Sequence, residues 1–178
     1  VVAYPYVFKW QDDYYMIPET HTEPSVRLYK ATEFPLKWEY QKDMLSGEIY
    51  ISASVAFFND TWWMFVSPEG NGSLRLFFAS DLAGEWTEHP MSPIVEDNPD
   101  IARPGGRMLI YEGNLYRMGQ DCDPTYGNQV HAFKITNISP TEYREEMVEK
   151  TLVKASSQGW NSRAMHHVDP HQTGEHQW

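Results

Sequence analysis

Two arginines near the middle of the chain, Arg103 and Arg107, have the clearest binding chemistry in the sequence. They lie four positions apart in the segment ARPGGR, so on an extended strand both side chains would share one face. A guanidinium fork suits a carboxylate, a phosphate or vicinal hydroxyl groups. In the alternative interpretation, each arginine instead joins neighbouring parts of the fold through a buried carboxylate such as Asp121.

A histidine-rich segment near the end of the chain offers metal-binding chemistry. His167, Asp169 and His171 stand at positions i, i+2 and i+4, so on a strand all three side chains project to one face. Two imidazoles and a carboxylate at this spacing are suitable ligands for a divalent metal ion. The alternative is a hydrogen-bonded polar network, with His166 packed on the opposite face.

Two carboxylates are candidates for catalysis. Glu19 follows an apolar strand and is the better candidate of the two for a general acid or base. It could equally be a solvated loop residue. Asp121 ends a predicted hairpin, where Gln120 and Tyr126 are further candidates for ligand contact. Asp121 could instead pair with an arginine, and Tyr126-Gly127 could simply form a turn.

The hairpin that carries the arginines is one copy of a longer repeat. Equivalent aromatic residues recur at Tyr15, Trp63 and Tyr116, and each recurrence lies within a predicted set of four short strands. Four-stranded repeats of this length are typical of β-propeller blades, whereas a generic all-β sandwich is the alternative. The predicted repeat units cover about residues 1–46, 47–95, 96–150 and the start of a further unit at 151–178.

Three and a fraction blades cannot close a ring. An open propeller would expose two long sheet edges, and the chain begins at Val1 without a methionine. We therefore expect remaining blades or a second domain on further sequence or on a partner chain. Inner strands begin near one mouth of a propeller channel, so Tyr4, Ser52, Arg103 and His167 are expected to face a common space.

Composition excludes several classes of partner. The net charge of −11 without a Lys/Arg cluster disfavours nucleic acid, and no apolar run is long enough to span a membrane. The seven Trp and eleven Tyr residues suit β-structure and also suit sugar binding, in which flat rings stack on pyranose faces. A single cysteine forbids an internal disulfide and leaves the compartment undecided.

Several long segments resemble a known family. YPYVFKWQDDYYMIPE, GGR…GNLYR…QDC…YG and WNSRAMHHVDPHQ are similar to the N-terminal propeller of glucosamine inositol phosphorylceramide transferases and to its bacterial relatives. That group is similar in turn to the five-bladed propellers of glycoside hydrolase families 43, 32 and 68. The resemblance implies blades two to four of five and the start of the fifth. It also implies a calcium ion in the channel near a fifth-blade histidine, as related hydrolases often have.

Two positions depart from the hydrolase pattern. Those enzymes carry a carboxylate at the start of each early inner strand, where this chain has Tyr4 and Ser52. Loss of both would remove the acid and its modulator from a mechanism that needs two carboxyl groups flanking the bond. The resemblance therefore implies the hydrolase fold more strongly than it implies hydrolysis.

Together these features predict an all-β, incomplete five-bladed propeller that binds a sugar or sugar-phosphate at its channel mouth, within a glycan-modifying enzyme. The predicted ligand contacts are Ser52, Arg103, Arg107, Gln120, Tyr126, His167 and Asp169. One alternative is a glycoside hydrolase with Glu19 as the acid and the nucleophile or base on a missing blade. The other is a non-catalytic structural or interaction propeller.

Overall fold

The computed structural model describes residues 2–149, 151–156 and 158–174. This part of the chain forms fourteen β-strands and no helix, which confirms the prediction of an all-β chain. Within the same ranges there is accordingly no helix long and apolar enough to cross a membrane.

The first sheet contains four antiparallel strands in chain order, β1 (Val2–Trp10), β2 (Asp13–Thr20), β3 (Ser25–Glu33) and β4 (Lys37–Ser46). Because each strand pairs with its neighbour in sequence, the sheet is a simple meander.

The second sheet repeats this arrangement with β5 (Tyr50–Phe58), β6 (Thr61–Pro68), β7 (Arg75–Ala79) and β8 (Thr87–Glu88). Its fourth strand is short and pairs over two positions only. The strand order is again that of the chain.

The third sheet has the same central meander with two short additions. Its strands are β9 (Arg103–Pro104), β10 (Leu109–Tyr111), β11 (Asn114–Asp121), β12 (Gln129–Ile138), β13 (Tyr143–Met147) and β14 (Val153–Lys154). Both β9 and β10 pair with β11, so together they take the place of one interrupted inner strand. Strands β13 and β14 both pair with β12.

The first hairpin of each sheet closes with a two-residue turn. The turn residues are Gln11-Asp12, Asn59-Asp60 and Glu112-Gly113. Backbone φ is positive at both residues of the second and third turns, as a type I′ turn requires. These turns match the right-handed twist of the flanking strands and fix the register of each hairpin.

The first strand of each sheet, which we call the inner strand, is also interrupted near its start. In the third sheet the inner strand is the pair β9 and β10. The register shifts around Tyr4 in β1 and around Ser52 in β5, and the third sheet breaks at Gly106 between β9 and β10. All three residues have positive φ, of 43°, 56° and 140° respectively. A bulge of this kind frees backbone groups from the ladder and redirects side chains, and Tyr4 and Ser52 adopt it without the freedom of glycine.

The sheets pack face to face through two apolar clusters. On β6, Trp62 points into the cluster shared by the first and second sheets, whereas Trp63 points into the cluster shared by the second and third. Both rings are buried. The alternation of side chains along β6 therefore joins all three sheets.

The far face of the third sheet carries a smaller cluster of Met118, Val130 and Ala132, against which Val153 and Val168 pack. Val168 forms a parallel bridge with Gly106. This contact brings the segment from Met165 to His171 alongside the break between β9 and β10.

Candidate functional site

A cavity of about 370 Å³ lies beside the bulged ends of the three inner strands. Its lining includes six of the candidate residues that carry polar or aromatic groups: Glu19, Ser52, Arg103, Gln120, Tyr126 and His167. All six were singled out in the sequence, and Tyr4 lines the same space. The common space expected for Tyr4, Ser52, Arg103 and His167 is therefore present.

Glu19, Ser52 and Arg103 form a network that draws one side chain from each sheet. Glu19 Oε2 accepts hydrogen bonds from the backbone N–H of Ser52 at 2.9 Å and from its hydroxyl group at 3.3 Å. Arg103 Nε donates to Ser52 Oγ at 3.1 Å, and its Nη2 lies 3.5 Å from Glu19 Oε2. The bulge at Ser52 makes this possible, because it releases the Ser52 N–H from the strand ladder.

The remaining contacts of Arg103 hold the guanidinium in one orientation. Nη1 donates to the side-chain oxygen of Asn71 at 3.1 Å, and the guanidinium carbon lies 5.1 Å from the centroid of the Tyr126 ring. The side chains of Arg103 and Glu19 are only 14% and 10% exposed. An ion pair this far from solvent is weakly screened by salt.

Tyr126 forms an exposed aromatic wall of the cavity. Its side chain is 51% exposed, and its ring centroid lies 5.2 Å from that of His166. The neighbouring Gly127 accepts a hydrogen bond at its carbonyl oxygen from the N–H of Met165. A Cβ at Gly127 would lie within 2.7 to 2.9 Å of the His166 side chain, so the close approach of the two segments depends on glycine.

His167 and Tyr4 meet at the inner side of the cavity. Their ring centroids are 5.1 Å apart in an edge-on arrangement, and partial burial lowers the pKa of His167. The Tyr4 hydroxyl group lies 2.7 Å from Ser54 Oγ and 3.0 Å from the carbonyl oxygen of Gly106. Burial raises the pKa of Tyr4, so its phenol stays neutral.

Arg107 does not join Arg103, contrary to the prediction that they share a face. Arg107 donates from Nε to Asp169 and from Nη2 to the carbonyl oxygen of Val7, and its guanidinium carbon lies 5.0 Å from the Tyr6 ring centroid. The physical reason is the break at Gly106, where the positive φ removes the regular alternation that the prediction assumed.

The carboxylate of Asp169 contacts both Arg107 and His171. One oxygen accepts from Arg107, and the other lies 3.0 Å from His171 Nε2. Burial tends to raise the pKa of Asp169, but the hydrogen bonds from Arg107 and His171 outweigh that effect and lower it. These residues lie outside the cavity at Arg103 and line separate spaces.

The predicted metal site at His167, Asp169 and His171 does not form. Residues 2–149, 151–156 and 158–174 contain no group of three or more His, Cys, Asp or Glu side chains that could hold a metal ion. The segment is not a continuous strand, since only Val168 forms a bridge. The i, i+2, i+4 spacing therefore does not assemble the three side chains into one ligand group, although Asp169 contacts His171 and lines a cavity together with His167.

Asp121 is buried and serves the fold. Its carboxylate accepts hydrogen bonds from the N–H of Asp123 and from the side-chain amides of Asn128 and Gln129, at 3.0, 3.0 and 2.7 Å. It does not line the cavity, and its hydrogen-bond donors are amides rather than the arginine considered above. Asp121 therefore organises the turn after β11, whereas its neighbour Gln120 reaches the cavity.

Two residues near the cavity were not assigned to it from the sequence. Asn71 lies in the loop between β6 and β7, and its hydrogen bond to Arg103 shows its part in the site. His166 was expected on the face opposite His167, yet both line the cavity because the segment lacks strand alternation.

A family model described as "Glucosamine inositolphosphorylceramide transferase 1, N-terminal" matches residues 1–178. The chain belongs to this family. Glucosamine inositolphosphorylceramide transferase 1 of Oryza sativa subsp. japonica is 36% identical over 186 residues, which cover 99% of this chain and 25% of the relative. The Arabidopsis thaliana protein of the same name is 34% identical over 178 residues, with 94% and 23% covered. The chain thus spans about a quarter of these relatives, and the family resemblance predicted from the sequence is confirmed.

Solved structures show the same fold at low identity. A thermostable family-43 glycoside hydrolase superposes with a TM-score of 0.70 at 16% identity, covering 89% of this chain and 55% of that one. Cellvibrio cellulosa alpha-L-arabinanase gives 0.64 at 13%, covering 94% and 58%. This chain therefore has the β-propeller-like fold of these solved structures.

Proposed function

We propose that this chain is the carbohydrate-recognising propeller domain of a glycan-modifying enzyme, and that a sugar or sugar-phosphate binds in the cavity at Arg103. The observation that carries the proposal is the meeting of Glu19, Ser52 and Arg103, one from each sheet, beside the exposed ring of Tyr126. Pockets that bind small ligands combine a few fixed polar groups with aromatic surface, and this cavity has both.

The names of the relatives support a role in glycan transfer. Those proteins are transferases of which this chain spans about a quarter. In our proposal the transfer chemistry belongs to the remainder of such a protein, and the propeller recognises a carbohydrate group of a substrate or product. Its residues are therefore assigned to binding.

We also assign the three sheets to one incomplete five-bladed ring. The chain covers 55% and 58% of the two hydrolase chains above, a share suited to three blades and the start of another. The repeat units at 1–46, 47–95, 96–150 and 151–178 would then be successive blades of a single domain, completed by further sequence or by a partner chain.

Hydrolysis has weaker support than binding. Of the described residues that line the cavity, Glu19 is the single carboxylate, whereas the usual mechanism needs two flanking the bond. Glu19 is moreover held by Ser52 and Arg103 through the same oxygen. A hydrolase would need a second carboxylate besides those that line this cavity.

The direct test is calorimetric titration with glucose, galactose, mannose, glucosamine, N-acetylglucosamine, their 6-phosphates and inositol phosphate. One or more should bind, and Arg103→Gln should weaken that binding about tenfold or more, because a hydrogen bond to a charged group contributes about 1.5 to 3 kcal/mol. Arg144→Gln is the matched control, since Arg144 is exposed on β13. Absence of binding across the panel, or equal affinity in the Arg103 variant, would overturn the proposal.

A further inference from the structure

Both arginines that the sequence suggests as ligand contacts already have a carboxylate partner. Arg103 pairs with Glu19, and Arg107 pairs with Asp169. The guanidinium groups therefore leave no surplus positive charge at either place. The remaining basic side chains of the cavity are histidines, and the pKa of His167 is lowered by burial.

The pair of Arg103 and Glu19 nevertheless retains hydrogen-bonding capacity. All three contacts of Glu19 use Oε2, so within the described chain Oε1 accepts no hydrogen bond. Arg103 has five N–H groups, of which one each on Nε, Nη1 and Nη2 is engaged. One N–H therefore remains on each terminal nitrogen, beside an unused carboxylate oxygen.

This combination of donors and one acceptor discriminates between ligand classes. A sugar hydroxyl group both donates and accepts, so neighbouring hydroxyls can satisfy the free N–H groups and Glu19 Oε1 together. A phosphate group only accepts, and its charge would lie beside the carboxylate of Glu19. Like charges brought together at a binding surface reduce affinity strongly.

Building on the proposed function, we infer that the cavity selects an uncharged sugar that presents neighbouring hydroxyl groups to Arg103 and Glu19, and that Glu19 excludes sugar phosphates. The half-exposed Tyr126 ring provides the flat apolar surface for the sugar face. Glu19 is thus a specificity-determining residue, and its substitution changes which ligand is preferred.

The test compares each neutral hexose with its own 6-phosphate, using glucose, galactose and mannose, first in the unaltered protein. The neutral member of the best pair should bind at least about tenfold more tightly, because the phosphate meets the Glu19 carboxylate. Its affinity should also change little with salt, whereas any phosphate binding should weaken with salt. Tighter binding of the phosphate would overturn the inference and leave the proposed function intact. Failure of every sugar to bind would instead overturn the proposed function.

The variant Glu19→Gln provides a second test of the ligand preference. Loss of the carboxylate leaves Arg103 uncompensated, so affinity for the 6-phosphate should rise about tenfold while affinity for the neutral hexose falls. Glu39→Gln is the matched control, since Glu39 is exposed on β4, and should change neither affinity. An unchanged preference in the Glu19 variant would contradict the inference. Circular dichroism verifies folding, and the comparison in the unaltered protein decides the matter if the variant does not fold.

Discussion

Glu19 at the end of β2 and Arg103 in β9 approach within 3.5 Å, although they are 84 positions apart in the chain. Ser52 of the second sheet contacts both. Backbone geometry contributes to this relationship, because the bulge at Ser52 frees its N–H to donate to Glu19. The relationship joins the three sheets at the place where we locate ligand binding.

Gly127→Ala should displace the side of the cavity that His166 and His167 form. The new Cβ would lie 2.7 Å from His166, so the segment must move away, and affinity for the bound sugar should fall several-fold. Gly113→Ala is a close control, because Gly113 has φ of 71° against 75° at Gly127 but no neighbour within 4 Å. Calorimetric titration of both variants measures the effect. Equal losses would show that backbone conformation alone, and not the contact with His166, is responsible.

Tyr126→Ala should weaken sugar binding by removing the stacking surface. An aromatic contact contributes about 0.5 to 1.5 kcal/mol beyond its buried area, so the dissociation constant should rise about threefold to tenfold. Tyr40→Ala serves for comparison, since Tyr40 is 50% exposed and Tyr126 is 51% exposed. If the two substitutions changed affinity equally, Tyr126 would have no specific part in binding.

Glu145→Gln should destabilise the third sheet. Arg117 is 2% exposed and donates to both oxygens of Glu145, so the substitution leaves a buried guanidinium poorly compensated. The expected loss is about 3 kcal/mol in the free energy of unfolding. Glu33→Gln breaks the exposed pair with Lys37 and should cost less than about 1 kcal/mol. Urea unfolding of the two variants distinguishes a buried pair from a surface one, and similar losses would refute the assignment.

Protonation of His167 should lower stability in mild acid. Its folded-state pKa is below the ordinary value because of burial, so the unfolded chain takes up the proton first, near pH 6.5. Stability should therefore decrease as the pH falls below about 6.5. His167→Gln should flatten this dependence between pH 7 and pH 5. A pH profile of the melting temperature that is identical in the protein and in His167→Gln would count against this account.

Much of the fold could be predicted because its signals are local. Turns such as Asn59-Asp60 and the alternation around Trp62 and Trp63 indicate hairpins directly, and both are present. The family resemblance supplied the likeness to the hydrolase propellers, which strand patterns alone do not determine.

The arrangement of the candidate site was harder to predict because it depends on exceptions to alternation. The break at Gly106 separates Arg107 from Arg103, and the segment around Val168 is not a regular strand, so His167, Asp169 and His171 do not form one ligand group. The hydrogen bond from Arg103 to Asn71 joins a loop to an inner strand, a contact between distant parts of the chain that no local pattern encodes.

The central claim is that a sugar binds between Glu19, Arg103 and Tyr126. The most direct measurement is a crystal structure of the protein with the neutral sugar that binds most tightly in solution. We expect electron density for a sugar ring beside Tyr126, with hydroxyl groups within hydrogen-bond distance of Glu19 Oε1 and the free N–H groups of Arg103. Density for the sugar at the separate cavity lined by Trp38 and Arg107, with none at Arg103, would contradict it.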